Sequence, residues 1–178
     1  MSGDIGMERR NLLLALIYGR GKTLKDNEKI PSETHLQKEM FLLMKETIFS
    51  KSKEYEFKPH YYGPFSAELR DDLNLLVYKG LIDEDDGIRL TPLGFKKAAS
   101  VWRSMGTSET VAVIRIKEQY NFNSIDGLSK YVYSKFPMFT VKSALRRDVI
   151  YSYFEKFYDE NSLTEDYIMQ AYNRNQKK

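Results

Sequence analysis

The chain lacks cysteine altogether and has only two histidines, five prolines and one tryptophan in 178 residues. Without cysteine there is no disulfide, no thiol nucleophile and no cysteine-built zinc site. That composition suits a reducing compartment. No His-x-x-x-His pair occurs, and the sequence assembles no carboxylate set around either histidine, so no metal and no cofactor is expected. His35 and His60 read as groups that hydrogen-bond locally.

An excess of charge of one sign is also missing. The net charge is +3, which excludes sequence-blind coating of nucleic acid and confines any phosphate-binding surface to a local patch. Long apolar runs are absent too. Leu12–Ile17 falls far short of the ~20 residues a membrane helix needs. The N-terminal stretch shows no small-residue cleavage site, so a cytoplasmic protein without a signal peptide is expected.

What is present is a hydrophobic fraction of 42% beside 30% charged residues, enough for a packed core under a hydrated surface. Glu8–Tyr18 is apolar almost all round and reads as a buried helix. After the polar stretch KTLKDNEKI, Ser32 caps a second helix over about Glu33–Phe49, with Leu36, Met40, Leu43 and Met44 on one face. Tyr55 and Phe57 alternate with charged neighbours, a strand signal that Pro59 confines to an edge or ends. A third helix is read over about Pro64–Lys79. Gly63 is taken as its N-cap, Pro64 as its first residue and Gly80 as its stop. Tyr61, Tyr62 and Phe65 are expected to pack its base onto the second helix.

Asp86-Gly87 marks a hairpin between short β-prone arms, and Thr91-Pro92 opens a fourth helix to about Arg103. Helices over about 108–119, 124–136, 140–158 and 162–172 follow. The fold class expected is mainly α with a small β-hairpin: a winged helix-turn-helix-like core over residues 1–106 and a helical extension over 107–178 packed on it. That extension either closes the core or forms a homodimer interface.

Motifs for chemistry are weak. GRGKT at Gly19–Thr23 resembles a phosphate-binding loop, but the required earlier glycine is Leu16 and a helix precedes it rather than a strand. Ser66 lies outside any Gly-x-Ser-x-Gly elbow. Asp72 falls beside the leucine face of the third helix, so it should accept hydrogen bonds from Tyr61, Tyr62, His60 or backbone N–H groups. A general-base role has no partner acid or nucleophile to support it. The chain therefore reads as a non-enzyme.

Two binding readings remain. Arg70 and Asn74, on the outward face of the third helix, are residue types suited to guanine and adenine edges. Tyr78 and Lys79 could reach phosphates, with Lys51, Lys53 and Lys58 as further anchors. Lys142, Arg146 and Arg147 form another basic group. These define a transcriptional-regulator-like protein bound to double-stranded DNA. The wing tip, however, carries Asp83, Glu84, Asp85 and Asp86, where a DNA-touching wing usually offers lysine or arginine. The alternative is a protein-interaction module that turns this acidic tip and the third helix toward a basic partner.

Three segments, HLQKEMFLL, YYGPFSAELRDDLNLL…KGLI and LSKYVYSKFPMFTVKS, resemble the YwgA-type and SocA-like antitoxin (Panacea) proteins. The resemblance covers roughly His35–Ile82 and Asn123–Ser143. It implies a winged-helix core with helical additions, a regulatory or antitoxin-like role, and no catalytic residues. Unlike a compact helix-turn-helix, whose helices are joined by a turn of about 3–4 residues, this chain places about Phe49–Gly63 between its second and third helices.

Overall fold

The computed structural model describes residues 8–140 and Lys142. The helices expected over 140–158 and 162–172, with Arg146 and Arg147, lie outside the described residues. The rest is mainly helical with small antiparallel hairpins, and it divides into two compact units. One contains residues 8–56 and 66–123; the other contains residues 57–65 and 124–140. The fifth helix thus belongs with the first four, whereas a boundary at residue 106 would have separated it.

In the first unit, helix α1 (Arg9–Tyr18) buries every side chain from Leu12 to Tyr18. An element apolar on all sides has to sit at the centre, and α1 packs against both α4 (Pro92–Ser104) and α5 (Thr107–Tyr120). Helix α2 (Glu33–Glu46) starts where Ser32 accepts from the His35 N–H and stops one turn earlier than its sequence suggests. Thr47 ends it: its Oγ1 donates to the Leu43 carbonyl and accepts from the Phe49 N–H, opening a short 3-10 turn over Ile48–Lys51.

Helix α3 (Ala67–Tyr78) begins three residues after the expected start. Ser66, not Gly63, is its N-cap, accepting from the Leu69 N–H. The amide of Gln37 clamps this cap to α2. Its Nε2 donates to the Ser66 carbonyl at 3.1 Å, and its Oε1 accepts from the Ser66 N–H at 2.9 Å.

The wing is the hairpin β3 (Ile82–Asp83) and β4 (Arg89–Leu90). The polar stretch before α2 is clipped to it. Ile30 exchanges backbone hydrogen bonds with Ile88, and the Asn27 side chain bonds both the N–H and the carbonyl of Leu90. Helix, helix, helix, hairpin, helix is the order of a winged helix, here with residues 47–66 between α2 and α3.

The second unit explains the Gly-Pro step. Strands β1 (Lys58–His60) and β2 (Gly63–Phe65) pair antiparallel, with His60 opposite Gly63. Tyr61 and Tyr62 form the turn, and Gly63 follows it at a φ of 101°. A glycine suits this position just past the turn, because a side chain is disfavoured at positive φ. The expected packing of both tyrosines beneath the third helix is therefore wrong. Each is 61% exposed at the hairpin tip. Helix α6 (Ile125–Lys135), capped by Ser124, buries Leu128, Val132 and Tyr133 in this unit and lies against β2.

Candidate interaction surface

The leucine side of α3 is buried through Leu69, Leu73 and Leu76, and Asp72 is buried with them. Asp72 does not meet the partners its sequence neighbours offered. Arg9 at the start of α1 donates to both oxygens, Nε at 2.6 Å and Nη2 at 3.2 Å. The Tyr55 hydroxyl lies 3.2 Å from Asp72 Oδ2 and 2.9 Å from the Arg9 carbonyl oxygen. The carboxylate holds the Arg9 guanidinium above its ordinary pKa. Burial and the same carboxylate push the Tyr55 phenol up. Held by a guanidinium and a phenol, the carboxylate ties α1, α3 and the Tyr55 segment together.

The other side of α3 carries Ala67, Arg70, Asp71, Asn74, Tyr78 and Lys79, all exposed, with Tyr78 at 89%. Four of the sequence-predicted site residues therefore share one outward surface. Arg70 is held there by Glu33 at 2.8 Å, a pair that raises the guanidinium's pKa. Lys51 ends the 3-10 turn after α2 and Lys53 follows it, both exposed in the first unit. Lys58 lies on β1 and belongs to the second unit.

The acidic wing is partly neutralised by its own neighbours. Arg89 bonds Asp83 at 3.0 Å, and Lys29 bonds Asp86 at 2.8 Å. Asp83 also accepts from the Asp85 N–H, and its pKa is depressed first by that bond and then by Arg89. Asp86 is depressed by the Lys29 hydrogen bond. Glu84 moves the opposite way, raised by partial burial and by the charge of Glu33.

The first unit also holds a buried charged cluster that the spacing of polar residues alone does not single out. Glu39 on α2 is fully buried, and neither of its carboxylate oxygens has a hydrogen-bond partner among the described residues. Lys117 on α5 is equally buried and donates from Nζ to the carbonyls of Ile17 and Glu28. Glu28 accepts from Thr23 and from Asn121 Nδ2. Burial pushes Glu39 up toward the neutral acid, against the pull of the Lys117 ammonium. The hydrogen bonds to Glu28 outweigh its own burial and keep its pKa low. Spacing relative to the apolar residues does carry the signal: Glu39 stands three residues after Leu36 and four before Leu43, and Lys117 three before Tyr120, each on a buried helix face. Thr23, the last residue of the GRGKT stretch, gives its N–H to Glu28, so that loop amide serves an internal carboxylate.

His35 is a structural group. Its ring nitrogens lie 2.9 Å from Ser32 Oγ and 3.0 Å from the Asn123 carbonyl. His60 rests against Phe65. Among the described residues no three His, Asp or Glu side chains come together as a metal would need, and no helix is long and apolar enough to cross a membrane. Compared with protein-family models and with curated proteins, the chain matches none.

Proposed function

We propose that the chain is a non-enzymatic, cytoplasmic protein-interaction module of winged-helix type, antitoxin-like or adaptor-like. It turns the outer face of α3 and the wing tip toward a basic protein partner. The observation that carries this reading is the charge arrangement on that surface. Arg70, Lys29 and Arg89 are already engaged by Glu33, Asp86 and Asp83, and Asp71, Glu84 and Asp85 face solvent beside them. A field of this sign repels phosphates and steers a cationic surface inward. Tyr78, the most exposed of the large hydrophobic side chains among the described residues, supplies the aromatic anchor that interfaces favour. The resemblance of three segments to YwgA-type and SocA-like antitoxin proteins supports the same reading.

Duplex DNA is the second reading. It is favoured by the exposed Asn74, Tyr78 and Lys79 on the C-terminal half of α3, with Lys51 and Lys53 as phosphate anchors. The two readings separate in one experiment. The tagged full chain, its Glu84→Lys/Asp85→Lys variant and its Tyr78→Ala variant are used to capture partners from the source cells, and duplex binding is followed by anisotropy at low and high salt. A basic protein retained by the wild type and lost by both variants supports the first reading. Salt-sensitive duplex binding, lost in Arg70→Ala/Asn74→Ala, replaces it with the second.

A further inference from the structure

The loop that leaves α1 returns to its own starting point at Tyr18. The Asn27 N–H donates to the Tyr18 carbonyl at 2.6 Å, and the Tyr18 hydroxyl lies 3.4 Å from Asp26 Oδ2. Thr23 ties the middle of the loop down, giving both its N–H and its hydroxyl to the Glu28 carboxylate. Gly21 lies so close to that carboxylate that a Cβ would meet it at 2.2 Å. The loop therefore has a fixed shape, and it holds three cations in water: Arg20, Lys22 and Lys25 are all exposed. Between them Leu24 is 70% exposed at a φ of 59°. Water offers leucine nothing and the left-handed region disfavours it, so neither burial nor backbone geometry accounts for a leucine here.

Helix α4 meets this loop at Tyr18. The Tyr18 ring packs against Phe95 and Trp102, with centroids 5.0 and 5.4 Å away. Gly94 and Ala98 turn inward, while Phe95 and Trp102 stay half-buried on a shoulder of the helix. Lys96 and Arg103, two turns apart, share the exposed stripe beside that shoulder. The Arg103 charge reaches the Tyr18 phenol and opposes the rise that burial and Asp26 impose on it. Helix α4 contains no acidic residue. Among the described residues, none of the five cations Arg20, Lys22, Lys25, Lys96 and Arg103 stands in an ion pair. Around α3 and the wing the case is reversed, since Arg70, Lys29 and Arg89 are each taken by a carboxylate.

We propose that loop 19–26 and the adjoining shoulder of α4 form a docking surface for an acidic protein segment that carries apolar side chains among its carboxylates. The unpaired cations set the sign of the partner by charge complementarity. Leu24, with the half-buried Phe95 and Trp102, sets its class, because an apolar shelf among cations is completed by apolar side chains among acids. A phosphate backbone brings no apolar surface to cover Leu24, and it would meet the exposed Asp26 carboxylate beside Lys25. This surface shares no residue with the outer face of α3 or the wing tip, so it stands or falls separately from the proposed function. The two surfaces together suit an adaptor that joins partners of opposite charge.

The test is fluorescence anisotropy of three labelled probes titrated with the full chain at low salt. The probes are a peptide of alternating glutamate and leucine, a polyglutamate of the same charge and a single-stranded oligonucleotide of the same charge. The variants are Lys22→Glu/Lys25→Glu, Lys96→Glu/Arg103→Glu and Leu24→Asn. Every substituted side chain is exposed, and thermal melting checks that each variant is folded. The expected result is saturable binding of the glutamate–leucine peptide to wild type, with both other probes weaker. Each charge-reversed pair should weaken that binding about tenfold or more. Leu24→Asn places a residue that tolerates positive φ, so it should melt no lower than wild type yet bind the peptide less tightly. No peptide binding overturns the proposal, as does binding that either charge-reversed pair leaves unchanged. An oligonucleotide held as tightly as the peptide makes this a phosphate site and overturns it too. Polyglutamate bound as tightly as the peptide, or full affinity in Leu24→Asn, removes the apolar part of the claim and overturns it likewise.

Discussion

Asp72 and Arg70 stand two residues apart on α3 and occupy opposite environments. Asp72 faces inward, is buried, and is fixed by Arg9 and Tyr55. Arg70 faces outward and is half-exposed in a pair with Glu33. Inside, an ion pair must be complete, because one partner left alone in a low-dielectric core costs several kcal/mol. Outside, water and salt compete for every contact, and a pair is worth about 0–1 kcal/mol. The inner side of α3 therefore specifies the fold. The outer side can exchange its partners for those of another molecule at little cost.

The largest effect that would break this contrast is at Asp72. Replacing it with alanine takes the acceptor from the Tyr55 hydroxyl and from the Arg9 guanidinium, which keeps its access to water. Chemical denaturation should show a loss of about 2 kcal/mol; a loss no larger than that of a surface substitution would place Asp72 with Arg70 instead.

Glu39 sharpens the contrast from the other direction, as a buried carboxyl without donors. Its pKa is raised by burial, so the folded chain holds a proton that the unfolded chain releases. Stability therefore falls as pH climbs from the ordinary carboxylate range toward the raised folded pKa. Glu39→Gln should remove that decline. The variant should match wild type at mildly acidic pH and exceed it on the alkaline side. Parallel pH profiles of the two proteins would show that Glu39 stays ionised in the core.

The smallest effects belong to the outer side. Glu33→Ala and Arg70→Ala should each change stability by about 0–1 kcal/mol, a difference that salt erases. Tyr78→Ala should leave the melting curve within about 0.5 kcal/mol of wild type while removing partner capture.

These two sides were not equally legible in the sequence. The leucines of α3, its outward residues, the caps at Ser32 and Thr91, and the Asp86-Gly87 hairpin follow from local spacing and local chemistry, and the structure has them. The partners do not follow. Arg9 reaches Asp72, Glu33 reaches Arg70 and Lys29 reaches Asp86 across long sequence separations, which spacing along one element cannot encode. Gly63-Pro64 was read as a helix start because glycine and proline suit one. The chain uses them instead in the second strand of a tight hairpin, and Ser66 takes the cap. Lys58 illustrates a further limit. It looked continuous with Lys51 and Lys53 in sequence, yet β1 carries it into the other compact unit.

The most direct test of the central claim, that the outer face of α3 and the wing meet a basic protein, is a low-salt titration of labelled duplex DNA with the full chain. The surface charges predict no saturable binding for wild type, and weak binding appearing only when Glu33, Glu84 and Asp85 are made neutral. Saturable wild-type binding that Arg70→Ala/Asn74→Ala abolishes would contradict the account.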